Sequence, residues 1–420
     1  MKKLIFILIF FVSQLCSAKD SIEISILTCS PGNEIYSAFG HSAIRIFDKE
    51  NGIDKIYNFG MFDFDTPNFT LKFIKGKLKY RLGIHQTEDF INEYTRGNRT
   101  VIEQKLNLGK QEKNEFLEKL NFLYRPENRY YLYSFLEKNC STEIRDLLLE
   151  VGVKFPDHKI KKTNRELINS YLGEKLWLRF GINLMLGKSL DKKTNTLQRM
   201  FLPKFLKKQV GNSFLQGKKL VKSEQVLNDV LVKDKFNIFN WFSPVVVFTL
   251  LLLIILYWFP NPIVLMICFS IGVIGSLLSI IWIFSEHPEV KFNMNIIWCN
   301  PLYLVYIPYI IKNKSNKILA SILLVSVFVS IFIWLFGVQM FDLAVAPIFF
   351  ILGVINLKQL NLAHNKKDSG YPHNKLDSSL FHKLDQLLRN LMLLGKEKMK
   401  RDRFKRTLTK INSYVCKSKR

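Results

Sequence analysis

The sequence predicts an exported α+β domain followed by an α-helical membrane domain of about five spans and a basic tail. Three observations carry that prediction. The chain opens with two lysines, a short apolar run and small residues ahead of Lys19, which is the pattern of a secretory signal. No further long apolar run occurs until Trp241, after which such runs recur. Between these limits, strand-like alternation gives way to helical spacing, with no internal repeat or low-complexity tract. The composition agrees with a segregated chain: 420 residues, 48% hydrophobic, yet with a formal charge of +26. Six cysteines are too few for a disulfide-built scaffold, and the apolar content excludes a disordered polycation or a collagenous chain.

Taken in order, residues 1–18 form the signal peptide, ending Cys16-Ser17-Ala18 with small residues at −3 and −1 of the cleavage position. An uncleaved anchor is the alternative, and Gln14-Leu15 are too large to precede a lipidated Cys16. Residues 19–240 are soluble in character. Residues 22–28 read as a strand before the Ser30-Pro31-Gly32-Asn33 turn. Residues 40–47 and 53–60 read as a hairpin about Asn51-Gly52, and 68–84 as one or two further strands. Phe116, Leu117, Leu120 and Leu123 mark a helix over 110–124, stopped at Arg125-Pro126. An aromatic extended piece over 129–135 precedes a helix over 141–150. Residues 164–232 read as mostly helical and basic, a prop between the domain and the membrane.

The membrane domain is placed at 241–357, with apolar segments at 241–259, 263–284, 295–311, 318–336 and 343–357. The third is broken by Asn300-Pro301 and decides the topology. If it crosses, the basic turn from Lys312 to Lys317 and the C-terminal tail are both cytoplasmic; if not, both lie outside, against the positive-inside rule. Five spans are therefore expected. The tail, 358–420, holds 17 Lys and Arg against five Asp and Glu, nearly half of the net charge. Within it Leu380, Leu384, Leu387, Leu391 and Leu394 recur at helical spacing, the pattern of a basic amphipathic helix on the inner leaflet. No nucleic-acid-binding signature accompanies the charge, so no nucleic-acid partner is expected.

Candidate chemistry is sparse. The exported domain has two cysteines, Cys29 and Cys140, and three histidines, His41, His85 and His158. Cys140 heads a predicted helix, where free N–H groups and the helix dipole favour a thiolate and would hold an oxyanion. His41 lies on a predicted strand among small neighbours, Gly40, Ser42 and Ala43, which leaves room for a substrate. Hairpin parity puts Asn58 on the side of His41, but register sets the distance: a tight turn pairs Asn58 with Arg45, whereas a loop over residues 49–52 pairs it with Ala43, diagonal to His41. Asp63 and Asp65 are the fallback orienters of the histidine. A Cys29–Cys140 disulfide is the structural alternative to a thiol site. No second Cys or His stands at zinc-ligand spacing, so neither metal nor cofactor is expected. His287, where the second span emerges, is a candidate contact for a lipid headgroup or an acceptor amine.

At these residues the chain resembles the Lnb family, lipoprotein N-acyltransferases of Bacteroides-type bacteria. The resemblance rests on Leu27-Thr28-Cys29-Ser30-Pro31-Gly32, Phe39-Gly40-His41-Ser42-Ala43-Ile44-Arg45, Tyr57-Asn58-Phe59-Gly60, Phe62-Asp63-Phe64-Asp65-Thr66-Pro67-Asn68-Phe69, Arg125-Pro126-Glu127-Asn128-Arg129 and Asn139-Cys140. The run from Phe180 to Gly187 and Glu286-His287-Pro288 add to it. A histidine before the cysteine, with Asn-Cys opening a helix, also resembles circularly permuted papain-like thiol enzymes of the lecithin:retinol acyltransferase type. The resemblance implies a permuted papain-like α+β fold with Cys140 as nucleophile and His41 as base, while Asn58 is the candidate from hairpin parity to accept the His41 N–H and fix its tautomer. Arg45, Asp63 and His287 are the substrate-side candidates. It further implies a phospholipid acyl donor, a lipoprotein acceptor and a periplasmic domain on the inner membrane. A thiol hydrolase of the same fold, either a phospholipase or a wall-peptide endopeptidase, is the alternative. A non-enzymatic membrane assembly factor is another.

Overall fold

The structure is a computed structural model that describes residues 21–157, 162–228, 230 and 242–368. The signal segment, His158 and the amphipathic stretch of the tail lie outside the described residues.

The exported part is built on one antiparallel sheet. Its strands are β1 (Ile22–Cys29), β2 (His41–Asp48), β3 (Ile53–Met61), β4 (Lys79–Gln86), β5 (Val101–Leu106), β6 (Tyr130–Leu132) and an eight-residue strand, Val221–Asn228. The spatial order is β6-β4-β3-β2-β1-β5 and then Val221–Asn228 at the edge beside β5. Alternation along each strand gives the sheet two apolar faces. On one, Ile24, Ile26, Ile44 and Ile46 meet Phe116 and Leu120 of the helix Lys110–Tyr124 and Ile144, Leu147 and Leu148 of the helix Cys140–Glu150. On the other, Leu27, Cys29, Ala43 and Ile56 meet Phe90 and Tyr94 of the helix Thr87–Arg96.

Two expected elements differ. Residues 69–74 form a short helix, Phe69–Ile74, and only Lys79–Gln86 of the 68–84 segment is a strand. Asn68 turns the chain with a φ of 57°, and the Phe69 and Phe73 rings then stack at 6.4 Å, an i,i+4 pairing that a strand would send to one face but much farther apart. The segment 164–232 is helical through Asn164–Tyr171, Leu176–Met185, Thr196–Arg199 and Pro203–Asn212, but Val221–Asn228 is the sheet's edge strand. Its polar side chains hide a strand whose partner, β5, lies more than a hundred residues away in sequence.

In the membrane part, three helices are long and apolar enough to cross a bilayer: Asn261–Phe284, Lys317–Leu335 and Val345–Leu362 of the helix Val345–Asp368. Two shorter apolar pieces accompany them. Pro244–Tyr257 is narrower than the expected 241–259, and 295–311 is divided into Asn295–Trp298 and Leu302–Ile311 at Asn300-Pro301. Glycines let the broken piece approach: a Cβ on Gly275 would stand 1.6 Å from the Cys299 carbonyl oxygen, and one on Gly272 would stand 2.6 Å from Leu304.

The helix Leu176–Met185 and the turn after it seat the exported part on these helices. Trp177 Nε1 donates to Phe242 O at 2.7 Å, and Arg179 pairs with the buried Asp342 at 2.9 Å. Asn293 Nδ2 donates to Leu184 O at 2.8 Å, and Gly187 N to Glu289 O at 2.8 Å. The joint is tight, since a Cβ on Gly187 would overlap the Lys291 carbonyl oxygen. Behind it, Arg165 and Asp191 form a buried pair at 2.9 Å, and Arg165 also donates to the carbonyls of Leu186 and Gly187.

Candidate active site

The helix Cys140–Glu150 starts where it does because of Asn139. This residue is extended (φ −132°) and its Oδ1 accepts the N–H groups of Ser141 at 2.8 Å and Thr142 at 3.0 Å. Thr142 Oγ1 accepts the Asn139 N–H in return, completing a capping box. The Asn139 amide also donates to the carbonyls of Phe135 and Phe201, so the cap is fixed from behind as well. Cys140 is thereby the first helical residue, partly accessible while Asn139 is buried. Of the N–H groups in the first turn, those of Ser141 and Thr142 are taken by the cap and that of Glu143 by Asn139 O. The Cys140 N–H is left to meet an oxyanion, which narrows the expectation that several would do so.

His41 opens β2 immediately after Gly40, whose φ of 83° and close approach to Cys29 O (2.6 Å from a Cβ built there) admit only glycine. The hairpin takes the longer of the two expected registers. Asp48 pairs with Ile53 and Ile44 with Tyr57 across a loop of residues 49–52, which sets Asn58 beside Ala43 and diagonal to His41. His41 Nε2 lies 2.5 Å from Asn58 Oδ1. An amide oxygen only accepts, so Nε2 carries the proton and Nδ1 is left for the thiol. Asn58 Nδ2 in turn faces His85 Nδ1 at 3.5 Å. The sheet and the helix are tied at this point by Ser42 Oγ and Ser141 Oγ, 3.0 Å apart. Gly60, in a left-handed conformation (φ 86°), passes beside Cys140 with no side chain to cover it.

The electrostatics of the pair are reciprocal. Burial pushes the Cys140 thiol up, but the charge and hydrogen bond of His41, with the Ser42 N–H and the Ser141 hydroxyl, outweigh it and leave the thiol below its usual range. Burial likewise opposes the charged form of His41, yet Cys140 and Asn58 hold its pKa above the ordinary value. The arrangement therefore favours a thiolate–imidazolium pair. Cys29 contrasts with it: its thiol is free, fully buried under Tyr94, and burial drives its pKa far up. Both cysteines are free thiols, so the disulfide alternative has no counterpart in the structure.

Cys140, His41 and Asn58 are brought together; the three substrate-side candidates are not. Arg45 is spent on structure, gripping Asp54 through Nε and Nη2 (2.7 Å each) and the buried Glu103 through Nη1 (3.0 Å). Its position two pairs beyond Ala43 on β2 carries it away from His41. Asp63 is exposed and closes its own turn by accepting the Asp65 N–H at 2.9 Å, so neither aspartate orients His41. His287 faces the helix Phe69–Ile74, with Nε2 at 2.8 Å from Phe73 O. Several residues at the site were not singled out by sequence reasoning. His85 backs Asn58 from β4, and its parity with Asn58 was visible only once β4 had been placed. Tyr133 lies close enough to Cys140 for the thiolate's charge to add to the effect of burial on its phenol. Glu289, 4% exposed, accepts the Leu136 N–H at 3.1 Å and so ties the membrane joint to the loop before Asn139.

Residues 17–170 match the family model described as the Lnb N-terminal periplasmic domain, and residues 235–367 match the one described as the Lnb transmembrane domain. No curated protein and no solved structure matches the chain.

Proposed function

Given that the chain belongs to the Lnb family, and so is a membrane protein of lipoprotein modification with a periplasmic N-terminal part, we propose that it is a thiol acyltransferase. It moves an acyl chain from phospholipid, through a thioester on Cys140, to the N-terminal amine of lipoproteins at the inner membrane. The observation that carries this reading is the Cys140 thiol at a capped helix start, its pKa lowered by a histidine whose far nitrogen is held by Asn58. In the first half-reaction the Cys140 thiolate attacks the ester carbonyl carbon, and the Cys140 N–H faces the developing oxyanion. As the ester C–O bond breaks, His41 gives its Nδ1 proton to the departing glycerol oxygen, which leaves as a lysophospholipid. In the second, the neutral acceptor amine attacks the thioester and His41 takes its proton. The C–S bond breaks to restore the thiolate, and the product is an amide. A permuted papain-like fold fits this order, with a nucleophile helix packed on a sheet that carries the base.

Five crossings complete the proposal. The start of Pro244–Tyr257, the end of Asn261–Phe284, the start of Asn295–Trp298 and the segment joining Lys317–Leu335 to Val345–Asp368 all touch the exported part. That alternation needs the broken piece 295–311 to cross. A water-soluble substrate would require no such platform, which favours lipid over wall peptide.

The test is mass spectrometry of the purified protein in phospholipid nanodiscs, together with the N-terminal lipid form of cellular lipoproteins. An acyl group on Cys140, and loss of lipoprotein N-acylation in Cys140→Ser with membrane insertion intact, are expected. Normally N-acylated lipoproteins in Cys140→Ser cells would refute the assignment, and a peptide adduct on Cys140 would point to the endopeptidase.

A further inference from the structure

The segment between β3 and β4 exposes more apolar surface than its six-residue helix can account for by packing. Phe64, in the turn ahead of the helix, is 65% exposed, and Leu71 and Phe73 are 52% and 45% exposed on a helix with no buried residue at all. Singly exposed apolar residues are ordinary, but a contiguous patch marks a contact. The rings here are contiguous, with Phe64 and Phe69 5.1 Å apart and Phe69 and Phe73 6.4 Å apart, and Leu71 is exposed on the same helix. The same stretch carries Lys72, Lys75 and Lys77, and Lys79 opens β4 directly after it.

Its position is fixed by a membrane span. The helix Asn261–Phe284 ends one residue before Ser285, and the next residue, Glu286, donates its N–H to Lys75 O at 3.0 Å. Glu286 also pairs with Lys77 at 3.2 Å, and His287 bonds Phe73 O. The apolar patch is thus held at the exported end of a span whose own last residues, Ile283 and Phe284, are exposed. Aromatic and aliphatic side chains with lysines at that depth are the composition of an interfacial element, with rings among acyl chains and ammonium groups at the phosphates.

From the patch an unbroken row of rings runs inward. Phe69 meets Phe62 at 5.7 Å, Phe62 meets Tyr80 at 5.2 Å, and Tyr80 stacks on Tyr133 at 4.5 Å. Tyr133 in turn lies at the start of the segment that the Ser134–Lys138 bridge folds back just ahead of Asn139 and Cys140, near enough for the thiolate's charge to reach its phenol. We propose that the Phe62–Ile74 segment is seated in the exported leaflet of the bilayer and takes up a phospholipid there, its acyl chain lying along the Phe62–Tyr80–Tyr133 row toward Cys140. The proposal deepens the acyltransferase reading and rests on it for the reaction, but not for the lipid contact.

Two measurements separate the parts. A benzoylphenylalanine incorporated at the position of Leu71, in full-length protein in phosphatidylethanolamine–phosphatidylglycerol nanodiscs, should photocrosslink to phospholipid. The double variant Phe64→Glu/Leu71→Glu should acylate Cys140 from those lipids at least tenfold more slowly than the parent, while Cys140 alkylation by water-soluble iodoacetamide stays within about twofold. Absence of lipid crosslinks, or crosslinks only to a protein partner, would overturn the proposal. So would lipid-dependent acylation of the double variant at the parental rate. Lipid crosslinks in a parent protein whose Cys140 takes no acyl group would support the membrane seat and overturn the acyltransferase reading instead.

Discussion

Two cysteines of the same domain meet opposite environments, and the difference is physical rather than chemical. Cys29 sits on the sheet's buried face, where desolvation outweighs the charge of Arg99 and the hydroxyl of Tyr94 and keeps the thiol protonated. Cys140 is also desolvated, but a cation, two hydroxyl or amide donors and a helix start stand against that cost. Iodoacetamide should therefore label Cys140 in the native protein and Cys29 only after denaturation. The sign of the pH dependence follows from the paired shifts. The thiolate forms above a lowered Cys140 pKa, so the alkylation rate should rise with pH about a midpoint below the ~8.5 of a free thiol. His41 stays charged up to a raised pKa, so the ion pair spans the interval between the two. Asn58→Ala removes a bond that favours the charged ring, which should move the alkylation midpoint upward. A parental midpoint at or above that of a free thiol would count against the pair. Arg45 makes the complementary point: an arginine of the same sequence motif as His41, but farther along β2, serves as a clamp between Asp54 and Glu103, and its charge is already matched.

At the scale of elements, the nucleophile depends on a cap more than on its helix. Asn139 satisfies two N–H groups of the first turn and two carbonyls of neighbouring segments. Asn139→Ala should cost about 1 kcal/mol for the cap and about 1–3 kcal/mol for each buried carbonyl left without its donor. A drop of several degrees in the midpoint of thermal unfolding in detergent, with slower Cys140 alkylation, is the expected result; an unchanged midpoint would mean that the cap is dispensable. The hairpin is the second element that matters. One register step would put His41 and Asn58 on opposite faces of the sheet, and the four-residue loop holds the pairing that joins them.

For the whole molecule, the exported domain is bound to the membrane helices by named contacts rather than by a tether, and Glu289 carries that joint to the loop ahead of Asn139. The proposed topology places the ends of the helices alternately. A reporter fused after Lys367 should read as cytoplasmic and one inserted at the Glu286–His287 loop as exported; an exported signal after Lys367 would break the five-crossing arrangement. Much of this was legible from the chain itself. Apolar runs, the helix at 110–124, the thiol at a helix start and the two candidate hairpin registers all follow from local periodicity and turn chemistry, which need no knowledge of distant partners. Tertiary structure alone decided which register the hairpin adopts, that Val221–Asn228 is an edge strand, that Asp63 and Arg45 stand apart from Cys140 and that His85 stands behind Asn58. Those outcomes depend on pairings between residues far apart in sequence, where the preference of any one segment is small beside the packing and hydrogen bonds its partner supplies.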